Sequence, residues 1–368
     1  MKDKPKTYLI FLGGFLTAIL TIVTLFNAFI DNHGLVFNLN QRPLSKPVDP
    51  SEISVLKRNL IYRRSDYESA VFGTSRALYG FDCSHPFFGG KNAINAGMPG
   101  ITFQEMGEAV CHFIRNQRAK RILITLDYGS FVQSKDPFHI DFGSNPFRYV
   151  GQLTTDLFKT FLSVDTLTQG LKSLGSREGI YDLYGALNND IVLKRTLKQG
   201  DLKKSFKKAE ERCAEFWGKS EKQLIDSNLL TKISKEAKDK NVELFWLFTP
   251  YHENLISFFK KRDGINSMLE WRREMSRLLL DEEQSHVFAW DSCNHLSLSV
   301  DEIIQESGKG VPLFFEMSHF SKRLGNMILE RLQQGNQASR DNLDSLVCIQ
   351  RGNLNAYIQM LAGLWNLQ

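Results

Sequence analysis

Ser69-Ala70-Val71-Phe72, followed at once by Gly73-Thr74-Ser75-Arg76, reads as a buried strand that runs out onto a turn. Gly73 permits a backbone geometry there that a side chain would obstruct. A serine just past such a turn is held out at the edge of the sheet. It is a candidate nucleophile wherever a histidine can reach it. Phe315-Glu316-Met317-Ser318-His319-Phe320 offers that histidine. Glu316, three residues earlier, can orient the His319 imidazole and stabilise its charged form, as the acid of a Ser-His-acid triad does. Gly-Thr-Ser-Arg alone also fits an ordinary turn. The pairing with Glu316 and His319 is what points to a site.

Outward from this strand, short apolar runs alternate with longer amphipathic ones. Strands are predicted at Ala70–Gly73, Ala93–Ala96, Arg121–Leu126, Val242–Phe248 and His286–Trp290. Helices are predicted at Phe103–Asn116, Gln223–Lys240, Ile256–Leu280 and Lys322–Leu332; in the first, Met106, Val110, Phe113 and Ile114 fall at helical spacing. Alternation of this kind predicts an α/β domain, a parallel sheet covered by helices on both faces. Ligands of such sheets bind beyond the carboxyl ends of the strands. Ser75, Gly97, Asp127 and His252 each follow a predicted strand.

The division expected is a cytoplasmic N-terminus (1–6), a transmembrane helix (7–30), a proline-broken linker (31–65), and an α/β domain built from 66–137 and 223–335. A mostly helical, basic insertion (138–222) interrupts that domain, and a tail of unassigned role (336–368) follows it. Thr7 to Ile30 carries no charged residue, and about 20 apolar residues suffice to cross a bilayer. The run is longer than a signal-peptide core and lacks a clean small-residue cleavage pattern, which favours an uncleaved anchor. Lys2, Lys4 and Lys6 precede it, so the N-terminus is expected in the cytoplasm and the rest on the far side.

The composition, 42% hydrophobic and 11% aromatic, suits a packed globular core. A net charge of +5 is too mild to argue for nucleic acid. Five scattered cysteines form no Cys-x-x-Cys pair, and the simplest reading is buried free thiols. No His-Glu-x-x-His spacing is present, and neither a metal nor another cofactor is expected. Leu193 to Lys222 is rich in Lys and Arg. It reads as a solvated helical face, with anionic lipid or an acidic glycan as the functional alternative.

Asn95-Ala96-Gly97-Met98-Pro99-Gly100 is a second strand-to-helix turn. A backbone N–H at Gly97 is a candidate donor to a developing oxyanion, although the glycines also serve simply to turn the chain. These segments together, with Tyr79-Gly80-Phe81-Asp82, Leu126-Asp127-Tyr128 and Gly325, resemble the SGNH (GDSL-like) superfamily of serine esterases and acyltransferases. Within it the chain resembles the membrane-anchored, extracytoplasmic branch that O-acetylates cell-surface polysaccharide. The resemblance covers residues 70–332, apart from 138–222. It implies a three-layer α/β/α, flavodoxin-like fold, with Ser75 as nucleophile, His319 as base and Glu316 as the acid where the family carries Asp. It places oxyanion donors at the Ser75 backbone and Gly97. The family's third donor, an Asn in Gly-x-Asn-Asp, is absent, and Leu126-Asp127-Tyr128-Gly129 stands there instead. The partners implied are a polysaccharide acceptor and a membrane-embedded protein that supplies the acyl group. An esterase using water as acceptor, or an inactive assembly protein, are the alternatives.

Arg76, Asn95, Asp127 and His252 are the further candidates for touching substrate. Arg76 suits a substrate carboxylate or a loop-bracing ion pair equally. His252, after the strand-stopping Pro250, suits a substrate contact or a helix cap. His295 is an alternative base, ranked below His319 because His319 has both an acidic neighbour and a following helix.

Overall fold

A computed structural model describes residues 4–30, 66–90, 92–131, 202–217, 225–262, 264–282, 285–290, 312–334 and 346–365, with scattered positions at 57–61 and 154–171. The N-terminal run forms one helix, α1 (Lys4–Ile30). Its stretch Lys6–Ala28 is long and apolar enough to span a membrane.

Thereafter the chain alternates. Strand β1 (Ser69–Gly73) leads into the short helix α2 (Ser75–Gly80), and β2 (Ala93–Gly97) into α3 (Phe103–Asn116). Next come β3 (Arg121–Leu126), α4 (Leu202–Trp217) and α5 (Ser227–Lys240). Strand β4 (Glu243–Phe248) precedes α6 (Glu253–Lys260) and α7 (Ile265–Leu280), and β5 (Ser285–Ala289) follows. A hairpin of β6 (Phe314–Glu316) and β7 (His319–Phe320) precedes α8 (Lys322–Gln334), and β8 (Val347–Ile349) and α9 (Leu354–Leu364) close the described chain.

Six strands make one sheet in the order β2-β1-β3-β4-β5-β8. The first five pair in parallel and β8 adds antiparallel to β5. Alternate residues of each strand feed two cores. Phe72, Ile124, Trp246 and Phe248 pack with Val110 and Phe113 of α3, Ile233 of α5 and Met275 of α7. Val71, Leu123 and Leu247 face the other way, onto Phe81, Phe87, Leu324 and Ile328. Burial on both faces is why these strands read as unbroken apolar runs rather than alternating ones.

Local chemistry sets the boundaries. Thr102 and Glu105 form a reciprocal capping box that starts α3. Asp226 accepts from Leu229 N and starts α5, so that helix begins after the expected Gln223. The single helix expected at Ile256–Leu280 is two, one ending at Lys260 and the next starting at Ile265, and Gly264 N–H turns back to Phe259 O at 2.9 Å. The expected linker is not wholly peripheral. Ile61 belongs to the core, and the buried Lys57 ammonium donates to Asn95 O. Part of the expected tail also belongs to the domain: β8 extends the sheet and α9 packs on α7.

Gly97 ends β2 where α2 crosses it. A Cβ there would lie 2.4 Å from Leu78 N and 2.9 Å from Leu78 Cα, both backbone atoms of α2. Gly97→Ala must therefore displace the helix that begins with Ser75. A loss of about 1–3 kcal/mol in unfolding free energy is expected, measured by chemical denaturation of the full chain. An unchanged denaturation midpoint would remove the packing explanation for this glycine.

Candidate active site

The chain reverses its winding between β1 and β3, whose neighbours in the sheet lie on opposite sides, and side chains gather at the carboxyl ends there. Ser75 is the first residue of α2, directly after the cap residue Thr74. Gly73 is needed for room. A Cβ on it would sit 1.8 Å from Thr125 Oγ1 and 2.9 Å from Ala77 Cβ, so strand and helix meet without a side chain between them.

The β6–β7 hairpin delivers the other two groups. Its two-residue turn, Met317-Ser318, sets Glu316 directly opposite His319 across the strand pair. The three-residue spacing seen in the sequence is therefore the two ends of a tight hairpin. The carboxylate Glu316 Oε1 is hydrogen-bonded to His319 Nδ1. An ionised carboxylate only accepts, so Nδ1 carries the proton of this bond and Nε2 is left as acceptor. Ser75 Oγ lies 2.6 Å from His319 Nε2. Ser75, His319 and Glu316 thus form a continuous hydrogen-bonded chain from a half-buried hydroxyl to a buried carboxylate. Ser318 Oγ donates to the same Glu316 oxygen. The Tyr79 ring lies against the imidazole, with centroids 4.8 Å apart. Burial and the Glu316 charge together push the Tyr79 phenol above its ordinary pKa.

Glu316 is 6% exposed. Burial pushes its pKa up, but the His319 charge and hydrogen bond, the Ser318 hydroxyl and the Arg212 charge more than offset it and bring it down to about 2. A carboxyl depressed in the folded state contributes stability that is complete above its ordinary value of 4.5 and is lost as pH falls through about 2. Denaturation midpoints should therefore drop between pH 5 and pH 3 on the order expected for one such group, and Glu316→Gln should flatten that limb. The same slope in wild type and variant would assign the acid sensitivity elsewhere.

The other candidates go different ways. Asn95 is fully buried, contrary to a role in touching substrate. Its amide donates to Ala77 O at 2.9 Å and Phe81 O at 3.0 Å, both on or just after α2. Its Oδ1 accepts the Gly97 N–H at 2.9 Å. That proton therefore points into the protein, away from the oxyanion role expected of it. Asn95 and Gly97 act together as a clamp that holds α2 against β2.

Arg76 and Asp127 brace each other rather than reach outward. Arg76 Nη1 lies 3.2 Å from Asp127 Oδ1 and 3.3 Å from Thr249 Oγ1, and its guanidinium stacks 4.1 Å over the Tyr251 ring. Thr74 and Thr249 both donate to the Asp127 carboxylate. His252 is fully buried and caps α6, its Nδ1 accepting from Asn254 N at 3.1 Å. It packs edge-on to Phe206 and Phe314. His295 lies outside the described residues.

Three contributors escaped the sequence reading. Helix α4, from the basic insertion, packs on β6 and brings Arg212 Nη2 to 4.0 Å from Glu316 Oε2. Only the Glu316-facing geometry distinguishes Arg212 from its solvated basic neighbours. Thr249 and Ser318 were unremarkable polar residues until the fold set them beside Asp127 and Glu316. Cys111 is no rival nucleophile, because burial pushes its thiol up to about 12. Among the described residues no group of three or more His, Cys, Asp or Glu is arranged to hold a metal ion.

No family model matches the chain, and no curated protein matches it.

Proposed function

We propose that this chain is a membrane-anchored serine acyltransferase of the SGNH-like type. It passes an acyl group, acetyl by the resemblance, to a hydroxyl of a cell-surface or exported polysaccharide. The observation that carries this is the Ser75–His319–Glu316 chain at the carboxyl edge of a parallel sheet. The strand order 2-1-3-4-5 is that of flavodoxin-like folds and supports the same reading.

Ser75 Oγ attacks the acyl carbonyl while His319 Nε2 takes its proton. His319 then gives that proton to the departing donor, leaving an acyl-serine. The acceptor hydroxyl next loses its proton to His319 and attacks the acyl carbon. Ser75 leaves and takes the proton back. Glu316 holds the ring in the required tautomer throughout. The Ser75 N–H, in the first turn of α2, has no intrahelical acceptor by position and is the oxyanion donor in this scheme. The domain faces the extracytoplasmic side, α1 crosses the membrane with its N-terminus in the cytoplasm, and a membrane-embedded partner supplies the acyl group.

Labelling of the full chain in native membranes with a fluorophosphonate tests the reading. Labelling should occur and should vanish in His319→Ala. A well-folded chain that is never labelled, even beside its membrane partner, would overturn it. One observation favours a second reading, an inactive assembly protein. Gly97 N–H is directed at Asn95, and Asp127 stands where the family has an Asn donor, so two of three oxyanion donors are replaced. A hydrolase differs from the proposed enzyme only in the acceptor. Acetate release without modification of added oligosaccharide would identify it.

A further inference from the structure

We propose that the segment around residues 158–171 is an interfacial membrane segment, latched to the end of α1 by Asn27 and inserting Phe158, Leu162, Val164 and Leu171 at the lipid headgroup boundary. The inference rests on α1 spanning a bilayer, and on nothing about the chemistry of Ser75.

Asn27 is the first observation. Residues 6–22 of α1 are exposed throughout, whereas Val23, Thr24, Phe26 and Ala28 are half-buried and Asn27 is 1% exposed. Only the last turns of the helix meet protein. An amide at the end of a membrane span is costly unless partnered. The two N–H groups of Asn27 Nδ2 are shared among Thr160 O at 3.3 Å, Phe161 O at 2.9 Å and Ser163 O at 3.1 Å. These carbonyls lie where one helical stretch ends and another begins: Leu162 N still bonds Phe158 O, and Leu167 N bonds Ser163 O. Ser163 O already accepts from Leu167 N, but Thr160 O and Phe161 O fall at the end of the first stretch, where carbonyls by position lack intrahelical partners. Near hydrocarbon, water does not supply them, so the protein must. Asn27 does so from the neighbouring helix, which lets a break in the chain sit at the edge of the membrane.

The second observation is what the latch holds there. Phe158, Leu162, Val164 and Leu171 are 63%, 44%, 69% and 57% exposed. Large apolar side chains left open in one short segment mark an interaction surface. Phe158 and Leu162 stand one helical turn apart and share a face. The surface is continuous with the end of a helix whose own exposed side chains call for lipid. A bilayer boundary is therefore the occupant, as for interfacial amphipathic segments.

The test is photocrosslinking of the full chain in liposomes of phosphatidylethanolamine and phosphatidylglycerol. Benzoylphenylalanine is placed singly at 158, 164, 171, at Phe15 inside α1, and at the exposed Lys235 of α5. Lipid adducts at 158, 164 and 171 should approach those at Phe15 and exceed those at Lys235 several-fold. Asn27→Leu keeps α1 apolar, and should lower the adducts at 158 while leaving those at Phe15 unchanged. Adducts at Phe15 with none above the Lys235 level at the three positions would overturn the proposal. So would crosslinks there to a second copy or another protein in place of lipid. Absence of lipid adducts at Phe15 itself would overturn the membrane span, and the proposal with it, whether or not Ser75 is reactive.

Discussion

Under the proposed chemistry, Ser75→Ala is expected to lower acyl transfer by roughly four orders of magnitude while leaving the fold intact, because it removes the oxygen that would form the acyl-serine. Ser75 is half-buried at the start of α2 and its hydroxyl bonds only to His319 among the described contacts. No core packing is lost, so the denaturation midpoint should stay within the range typical of a surface substitution, about 0.5 kcal/mol. Members of a triad act as a unit, so Ser75→Ala, His319→Ala and the double variant should all fall to a similar residual rate. The measurement is acyl transfer from the donor in membranes containing the full chain, alongside fluorophosphonate labelling. Losses that multiplied in the double variant would show that Ser75 and His319 act separately. Full transfer by Ser75→Ala would rule out an acyl-serine and leave the assembly reading.

The separation of stability from activity at Ser75 follows from how the site is built. The strand and turn at 69–76 were legible because a doubly covered strand leaves an unbroken apolar run, and because Gly73 before Ser75 marks a junction with no space for a side chain. Glu316 and His319 were legible as a spacing, but their hairpin was not: strands of three and two residues are too short for any periodicity to register. Gly97 looked like an oxyanion donor because a glycine turn after a strand permits that role. Whether its N–H faces substrate or Asn95 depends on an amide rotamer no pattern encodes. Arg212 was hidden among basic residues whose helix shows itself only as a charged, solvated face. Asp127, Arg76 and Thr249 come from three segments far apart in the chain, and charge alone does not indicate that they meet. Sequence patterns report which backbone elements form, whereas the partners of buried polar groups are set by how those elements converge.

Asp127→Asn is expected to be the most destabilising substitution in the site, at about 3–5 kcal/mol, because it leaves a buried guanidinium without its counter-charge. Arg76 is 8% exposed and Asp127 3%. Burial works against the Arg76 charge, yet Asp127 and Tyr251 more than offset it and hold the guanidinium above its ordinary pKa. The arginine therefore stays charged, and removing Asp127 strands it. The change also disturbs Thr74 and Thr249, whose hydroxyls donate to the same carboxylate. Thr74 caps α2 one residue before Ser75, so fluorophosphonate labelling should fall together with stability. Charge-free replacement of both partners, Arg76→Met with Asp127→Asn, should recover much of the lost unfolding free energy, because the cost lies in the unpaired charge rather than in the shape of the site. Denaturant titrations of wild type, the single variant and the double variant measure this. A single variant as stable as wild type but unlabelled would give Asp127 a direct part in the chemistry. A double variant no more stable than the single would mean that the carboxylate's hydrogen bonds to the two threonines, and not the ion pair, hold the carboxyl ends of β1, β3 and β4 together.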